Sequence, residues 1–272
     1  MYGPELLKQL IESNTPFAAG KIGATELHAI NKLYNPLTEK MHPIPLTGNI
    51  EYQITGSAGI HPLHEESFVK FCKYYLNGLS HIDALCLWTN IPFENVLDER
   101  YASSDRKLID LGAFDPNPIW TRSLSDKKIA IVSPFVDDYK YQMDRFSFWD
   151  NQDWFPQRAD FQFIESNYSQ IIDPENGYLS WDEENKRLQN ELMNLHNIDL
   201  VLIGCGAIGL PLASWVKTEM KTSAIHMGGP LQLLFGVMGK RWEHRDFNNE
   251  DWIRPSRQVN GPFSPIDGRC YF

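Results

Sequence analysis

DLVLIGCGAIGLPLASWVKTEMKTSAIHMGGPLQLLFGVMGKRW, residues 199–242, holds two consecutive units of strand, glycine turn and helix. Leu200 to Ile203 is a short apolar run with β-branched members, the composition of a strand buried in a parallel sheet. It ends in Gly204-Cys205-Gly206-Ala207-Ile208-Gly209. Glycines permit a sharp turn and let a ligand approach the backbone amides, while the helix that follows offers unpaired N–H groups to an anion. Ala224-Ile225-His226-Met227 predicts another strand, closed by Gly228-Gly229, with a second helix from Pro230. Two such turns side by side form one crevice suited to phosphate.

The same alternation extends outward. Leu6, Leu7, Leu10 and Ile11 have the spacing of a helix over Pro4 to Ser13. Phe17 to Ala19 leads into Gly20-Lys21-Ile22-Gly23-Ala24-Thr25-Glu26, and Leu27 to Tyr34 is helical in spacing, so a strand, turn and helix also open the chain. Lys21 and Glu26 flank that turn, where a solvated lysine and a dipole-favouring glutamate are the plain structural alternative. Prolines at 36, 43, 45 and 62 make 35–64 an irregular segment, of the kind that often covers a site. His42, His61 and His64 within it lack metal-ligand spacing.

Further helices are predicted over Glu66 to Leu79, Val96 to Tyr101 and Trp181 to Leu195, and a helix or a partly helical aromatic loop over Tyr139 to Trp149. Strands are predicted over Ala84 to Trp88, Lys107 to Leu111, Ile129 to Val132 and Phe161 to Ile164. The strand end Trp88-Thr89-Asn90 is placed to face a ligand, although the core is the preferred reading for Trp88 itself, and Gln142 and Arg145 are available as polar contacts. No hairpin signal interrupts the series. The expectation is one α/β domain over 1–272, with a mainly parallel, Rossmann-like sheet and helices on both faces. The tail over 243–272 has no regular period, but its Trp252, Tyr271 and Phe272 suit an ordered wrap across the domain.

At 272 residues, with 42% hydrophobic and 22% charged residues, the chain has the composition of a folded globular protein. A net charge of −10 works against general nucleic-acid binding, so an anionic ligand has to be met by local donors. The four cysteines are far apart and suggest neither a zinc knuckle nor a disulfide framework. No apolar run reaches the roughly 20 residues of a membrane span, and the N-terminus lacks a signal layout, so a cytoplasmic protein is expected.

Gly204 to Gly209 matches the dinucleotide fingerprint G-x-G-x-x-G after a strand. A nicotinamide site expects an acid at the end of the next strand, where this chain has His226-Met227-Gly228-Gly229. Nucleophile-elbow and Walker A spacings are absent, and Cys205 has no assigned base. Glycine turns, Ser133 at a strand end, His226 and the pair Lys240-Arg241 together suit a nucleotide diphosphate. A nicotinamide- or other nucleotide-dependent enzyme and a non-catalytic assembly protein are the alternatives.

Gly20 to Glu26 resembles the R-(F/I)-G-D-G-E segment of the GT-D fold class of bacterial glycosyltransferases, and D-L-V-L-I-G-x-G at 199–206 is similar to a later segment of that class. Gly228 to Trp242, Asn249 to Ser256 and Gly268 to Phe272 look like the G-G-x-x-Q-L-L-F-G-x-x-G-K-R-W, N-E-x-W-x-R-P-S and G-x-C-Y-W-like motifs of a bacterial subgroup. The resemblance implies a GT-D-like fold and sugar transfer from a nucleotide diphosphate sugar to a saccharide or lipid-linked saccharide acceptor. Such proteins serve surface polysaccharide or glycan biosynthesis, in the cytoplasm or peripherally at the inner membrane face.

The class carries a D-x-E pair that supports a metal-bound donor, and this chain has Ala24-Thr25-Glu26, which keeps only the second acid. Glu26 is thus the expected catalytic residue, and Mn2+ or Mg2+ enters only if substrate phosphates complete its shell. Lys21, Lys240 and Arg241 are expected on the diphosphate, with the amides of Gly20, Gly23, Gly204, Gly206, Gly228 and Gly229. Ser133 and Gln232 are expected on nucleotide or sugar edges, and His226 as a contact or auxiliary base.

Overall fold

The computed structural model describes residues 3–42, 51, 53–88, 92–145, 153–156, 158–167, 179–244 and 250–256. Seven strands form one sheet: β1 (Ala18–Lys21), β4 (Ala84–Cys86), β5 (Lys107–Ile109), β6 (Lys128–Ser133), β7 (Asp160–Glu165), β8 (Leu200–Ile203) and β9 (Ser223–His226). Their spatial order is β5-β4-β1-β9-β8-β6-β7, and every pairing is parallel. A short separate pair, β2 (Tyr34–Asn35) and β3 (Lys40–Met41), is antiparallel.

Side-chain alternation along the strands sorts the core into two layers. Ala18, Ala130, Val132, Val201, Ile203 and Ala224 face one layer, and Ala19, Ile129, Ile131, Leu200, Leu202 and Ile225 face the other. The first layer packs on α2 (Ala24–Leu33), α3 (Glu65–Leu79), α4 (Pro92–Tyr101), α7 (Trp181–Met193) and α8 (Gly209–Trp215). The second packs on α1 (Gly3–Glu12), α5 (Pro118–Thr121), α6 (Val136–Met143) and α9 (Pro230–Leu234). This is a Rossmann-like α/β architecture.

The topology places the site. The helix after β1 packs on the first layer, while the helix after the neighbouring strand β9 packs on the second. Where adjacent connections leave to opposite faces, a crevice opens beyond the carboxyl ends of the strands. Register then lines up its floor, because Gly20 lies opposite His226 and Ile203 lies opposite His226 from the other side.

Local signals set the helix starts. Ser180 and Glu183 form a reciprocal capping box at α7, His64 Nδ1 accepts from the Ser67 N–H at α3, and Asn117 caps α5 ahead of Pro118. Small residues set the closest helix contact. A Cβ added at Gly78 of α3 would lie 2.9 Å from the Pro211 Cα of α8, a backbone atom with no room to give. Gly78→Ala is therefore expected to lower unfolding free energy by about 1–3 kcal/mol in urea titrations; wild-type stability would mean that the two helices are not held at this separation.

Several sequence expectations need correction. The β2–β3 pair is a hairpin inside the segment read as irregular; Asn35 Oδ1 accepts from the N–H groups of Leu37 and Thr38, and this side-chain turn reverses the chain across Pro36. The segment also contains a π-helical turn, Gln53–Ser57. Helix α6 begins at Val136, earlier than Tyr139. In the expected C-terminal wrap, Met238 N–H donates to Ile253 O at 2.8 Å, Ile253 N–H donates to Gly236 O at 3.1 Å, and Trp252 is buried. Residues 257–272, including Tyr271 and Phe272, lie outside the described residues. No described helix is long and apolar enough to cross a membrane.

Candidate functional site

The ends of β1, β8 and β9 open into a cavity of about 250 Å³. Two lining glycines have left-handed backbones, Gly206 at φ +72° and Gly228 at φ +63°, conformations that side chains disfavour. The turns also crowd one another: a Cβ on Gly204 would meet the Gly228 carbonyl at 3.0 Å, and one on Gly228 would meet Lys21 Cε at 3.1 Å. The two glycine turns read from the sequence do form one crevice. Lys21 and Glu26, about 180 residues earlier in the chain, form its other wall.

Lys21 extends from the end of β1 with its ammonium 5.7 Å from the centre of the Trp88 ring. The Trp88 indole is fixed in turn, donating to the Ile22 carbonyl at 2.6 Å. Burial, then the nearby Arg241 guanidinium, hold the Lys21 pKa below the usual lysine range. Among the described residues no carboxylate pairs with Lys21 at salt-bridge distance. Two cations thus share a cavity in a chain of net charge −10. Such an arrangement favours an anionic ligand, because an anion relieves both the desolvation and the mutual repulsion.

Glu26 is the one carboxylate lining the cavity among the described residues, and it is buried in the first turn of α2. Gly23 is the N-cap of that helix and supplies no capping side chain. The Glu26 carboxylate folds back into the vacated space, so that a Cβ at Gly23 would collide with it. Burial pushes the Glu26 pKa up, while its own backbone N–H and Lys21 partly offset the shift. The result is a carboxylate of raised basicity beside a pair of cations. The Gly23 N–H donates to Tyr75 Oη at 3.3 Å, tying this turn to α3.

His226 ends β9 and is buried. Its ring lies against the backbone of Gly209, where any side chain would strike Nδ1 and Cε1. Burial, then Lys21, push its pKa down to about 3. Gly209→Ala is expected to cost about 1–3 kcal/mol by forcing the ring or the helix start to move, read by urea unfolding; an unchanged midpoint would mean that the ring is not packed against Gly209. Gln232 is also buried and lines the cavity.

Five expected contacts are placed elsewhere. Ser133 is fully buried; its hydroxyl donates to Tyr139 Oη at 3.0 Å and accepts from the Phe135 N–H at 3.2 Å, so it fixes the turn after β6 and does not line the cavity. Lys240 is exposed and also absent from the lining; neighbours in the 3-10 turn Lys240–Trp242 point apart, so that Trp242 is buried in the core and Arg241, itself exposed, lines the cavity. Gly20 serves packing: a Cβ there would lie 2.6 Å from Leu210 Cδ1. Gln142 and Arg145 hold the C-terminal segment, both donating to the Asp251 carbonyl.

The cavity has walls that sequence reasoning missed. Trp88, for which the core was preferred over a ligand-facing strand end, lines it together with Phe135, Tyr139 and Asn167. Asn167 follows β7, and strand-end position alone was the signal for it. Its N–H donates to Glu184 Oε1 at 2.8 Å and its Nδ2 donates to Oε2 at 3.1 Å, while Arg187 bonds the same carboxylate through two nitrogens. A carboxylate accepts only, so the amide is oriented with Nδ2 towards Glu184 and Oδ1 left for other partners. Cys205 lines the cavity too; burial raises its thiol pKa, which suits the turn role and not a nucleophile.

A divalent ion held by the protein does not fit these residues. Among the described residues no group of three His, Cys, Asp or Glu side chains is placed to bind one, and Glu26 shares its cavity with two cations. No protein family, characterised protein or solved structure matches the chain significantly.

Proposed function

We propose that the chain transfers a sugar from a nucleotide diphosphate sugar to a saccharide hydroxyl, free or lipid-linked, in bacterial surface polysaccharide or glycan biosynthesis. The observation that carries the reading is the half-buried Lys21 ammonium, which has no carboxylate partner among the described residues and faces a shared cavity with Arg241. The resemblance of Gly20 to Glu26 to the GT-D segment supplies the sugar chemistry.

In this reading the Glu26 carboxylate removes the proton of the acceptor hydroxyl as its oxygen bonds to the anomeric carbon. The bond from that carbon to the diphosphate oxygen breaks, and its electron pair leaves on the nucleotide diphosphate. Lys21, Arg241 and the amides of the turns at Gly204–Gly206 and Gly228–Gly229 stabilise that developing charge. Trp88, Phe135 and Tyr139 offer apolar faces to a base or sugar ring, and Asn167 Oδ1 accepts from a ligand hydroxyl.

A thermal-shift screen of UDP, GDP, CMP and NAD(P) tests the proposal. A nucleoside diphosphate at a hundredfold excess over its Kd is expected to stabilise the fold by about 2.7 kcal/mol. Stabilisation by NAD(P) alone, or by none of these compounds, would contradict a nucleotide-sugar donor.

A further inference from the structure

The two nitrogens of His226 have different surroundings. Nδ1 is wholly buried against Gly209, with no hydrogen-bond partner among the described residues. Nε2, on the other edge of the ring, is the nitrogen left for the cavity that the residue lines. A neutral imidazole carries one N–H. If that hydrogen sat on Nδ1, it would be a buried donor facing aliphatic backbone, and orphaned buried N–H groups are rarer than under-satisfied acceptors. A lone pair at Nδ1 meets instead the start of the helical run formed by α8 and the π-helical Val216–Met220, whose positive end favours electron density.

Of the charged neighbours the cations oppose a charged ring, and the one lining carboxylate, Glu26, acts against them. Lys21 from β1 and Arg241 from the 3-10 turn bring positive charge to the cavity, which opposes an imidazolium, and Glu26 from α2 is the single carboxylate among the described lining residues. Burial and Lys21 also hold the ring neutral near physiological pH.

We propose that His226 is a fixed, uncharged hydrogen-bond donor, through Nε2–H, to the anion gripped by Lys21 and Arg241, and that it moves no proton. The expected role of auxiliary base is thereby replaced. Its donor role rests on the diphosphate reading of the cavity, whereas the tautomer follows from the packing alone. A neutral donor adds a directed bond to the leaving phosphate without adding to the repulsion between the two cations.

Long-range proton–nitrogen NMR of the full chain with 15N-histidine, assigned with His226→Gln, reads the ring directly. The expected pattern is the Nε2–H tautomer, unchanged from pH 5 to pH 8, with the Nε2 signal moving and Nδ1 nearly still when inorganic pyrophosphate is added. By calorimetry, His226→Leu is expected to weaken pyrophosphate about tenfold or more at both pH 5.5 and pH 8, and His226→Gln, which keeps a neutral donor, to restore most of the affinity. An Nδ1–H tautomer or titration between pH 5 and 8 would overturn the proposal. So would pyrophosphate binding that leaves Nε2 unmoved, and in that case the diphosphate reading survives. Pyrophosphate that does not bind to the wild-type chain would remove both the reading and the donor role.

Discussion

Glu26→Gln is expected to reduce turnover of a nucleotide-sugar donor by about 10²–10⁴-fold, the usual contribution of a positioned general base. Glutamine keeps the shape of the side chain and an oxygen that can accept from the residue's own N–H, so the first turn of α2 has no reason to change. Because burial raises the Glu26 pKa, the ionised form is disfavoured in the fold, and the neutral amide is expected to leave stability at pH 7 equal or higher. Reduced release of nucleoside diphosphate together with an unchanged or raised Tm is the predicted combination. Full turnover in this variant would remove Glu26 from the chemistry, and a lowered Tm would show that its carboxylate serves the fold.

Acid should destabilise the protein through His226. Its folded pKa is about 3, below its ordinary value of 6.5. Between those values the unfolded chain binds a proton that the folded chain refuses, so stability is complete above pH 6.5 and is lost as pH falls towards 3. The window spans about 3.5 pH units, which at 1.36 kcal/mol per unit is an upper bound of about 5 kcal/mol. Glu26 works in the opposite sense over part of the range, since its raised pKa lets the fold take up a proton before the unfolded chain does. Urea unfolding at pH 7, 6, 5 and 4 isolates the histidine by comparison with His226→Gln. The wild type is expected to lose about 1.4 kcal/mol more per pH unit than the variant below pH 6.5; parallel curves would contradict the buried neutral ring.

Sheet and crevice were legible because they depend on short-range pattern. Leu200 to Ile203 and Ser223 to His226 are buried strands closed by glycine turns, and the single helical connection between them put them side by side as a parallel pair. The hairpin after α2 escaped notice because each strand has two residues and the reversal is made by the Asn35 side chain, not by a glycine turn. Ser133 had the expected strand-end position, yet its hydroxyl is satisfied by Tyr139 and Phe135, and neither partner is visible in spacing.

The remaining differences have the same origin. An apolar residue at a strand end suits core or cavity from sequence alone, and the Ile22 carbonyl that accepts from the Trp88 indole and the Glu94 carboxylate that accepts from its N–H are contacts that spacing does not show. Asn167 depends on a buried carboxylate 17 residues later, itself held by Arg187. For Lys240 and Arg241, residues adjacent in a helical turn diverge, so at most one of a Lys-Arg pair could point inward.

Calorimetric titration of UDP, GDP or CDP into the wild-type chain and into Lys21→Met/Arg241→Met tests the assignment of the cavity as a diphosphate site most directly. The methionines keep the apolar stems while removing both charges. The predicted result is binding of at least one nucleoside diphosphate by the wild type and loss of about a hundredfold or more in affinity in the double variant, as expected for two charge-assisted bonds. Equal affinity in the two proteins, or no binding by the wild type, would contradict it.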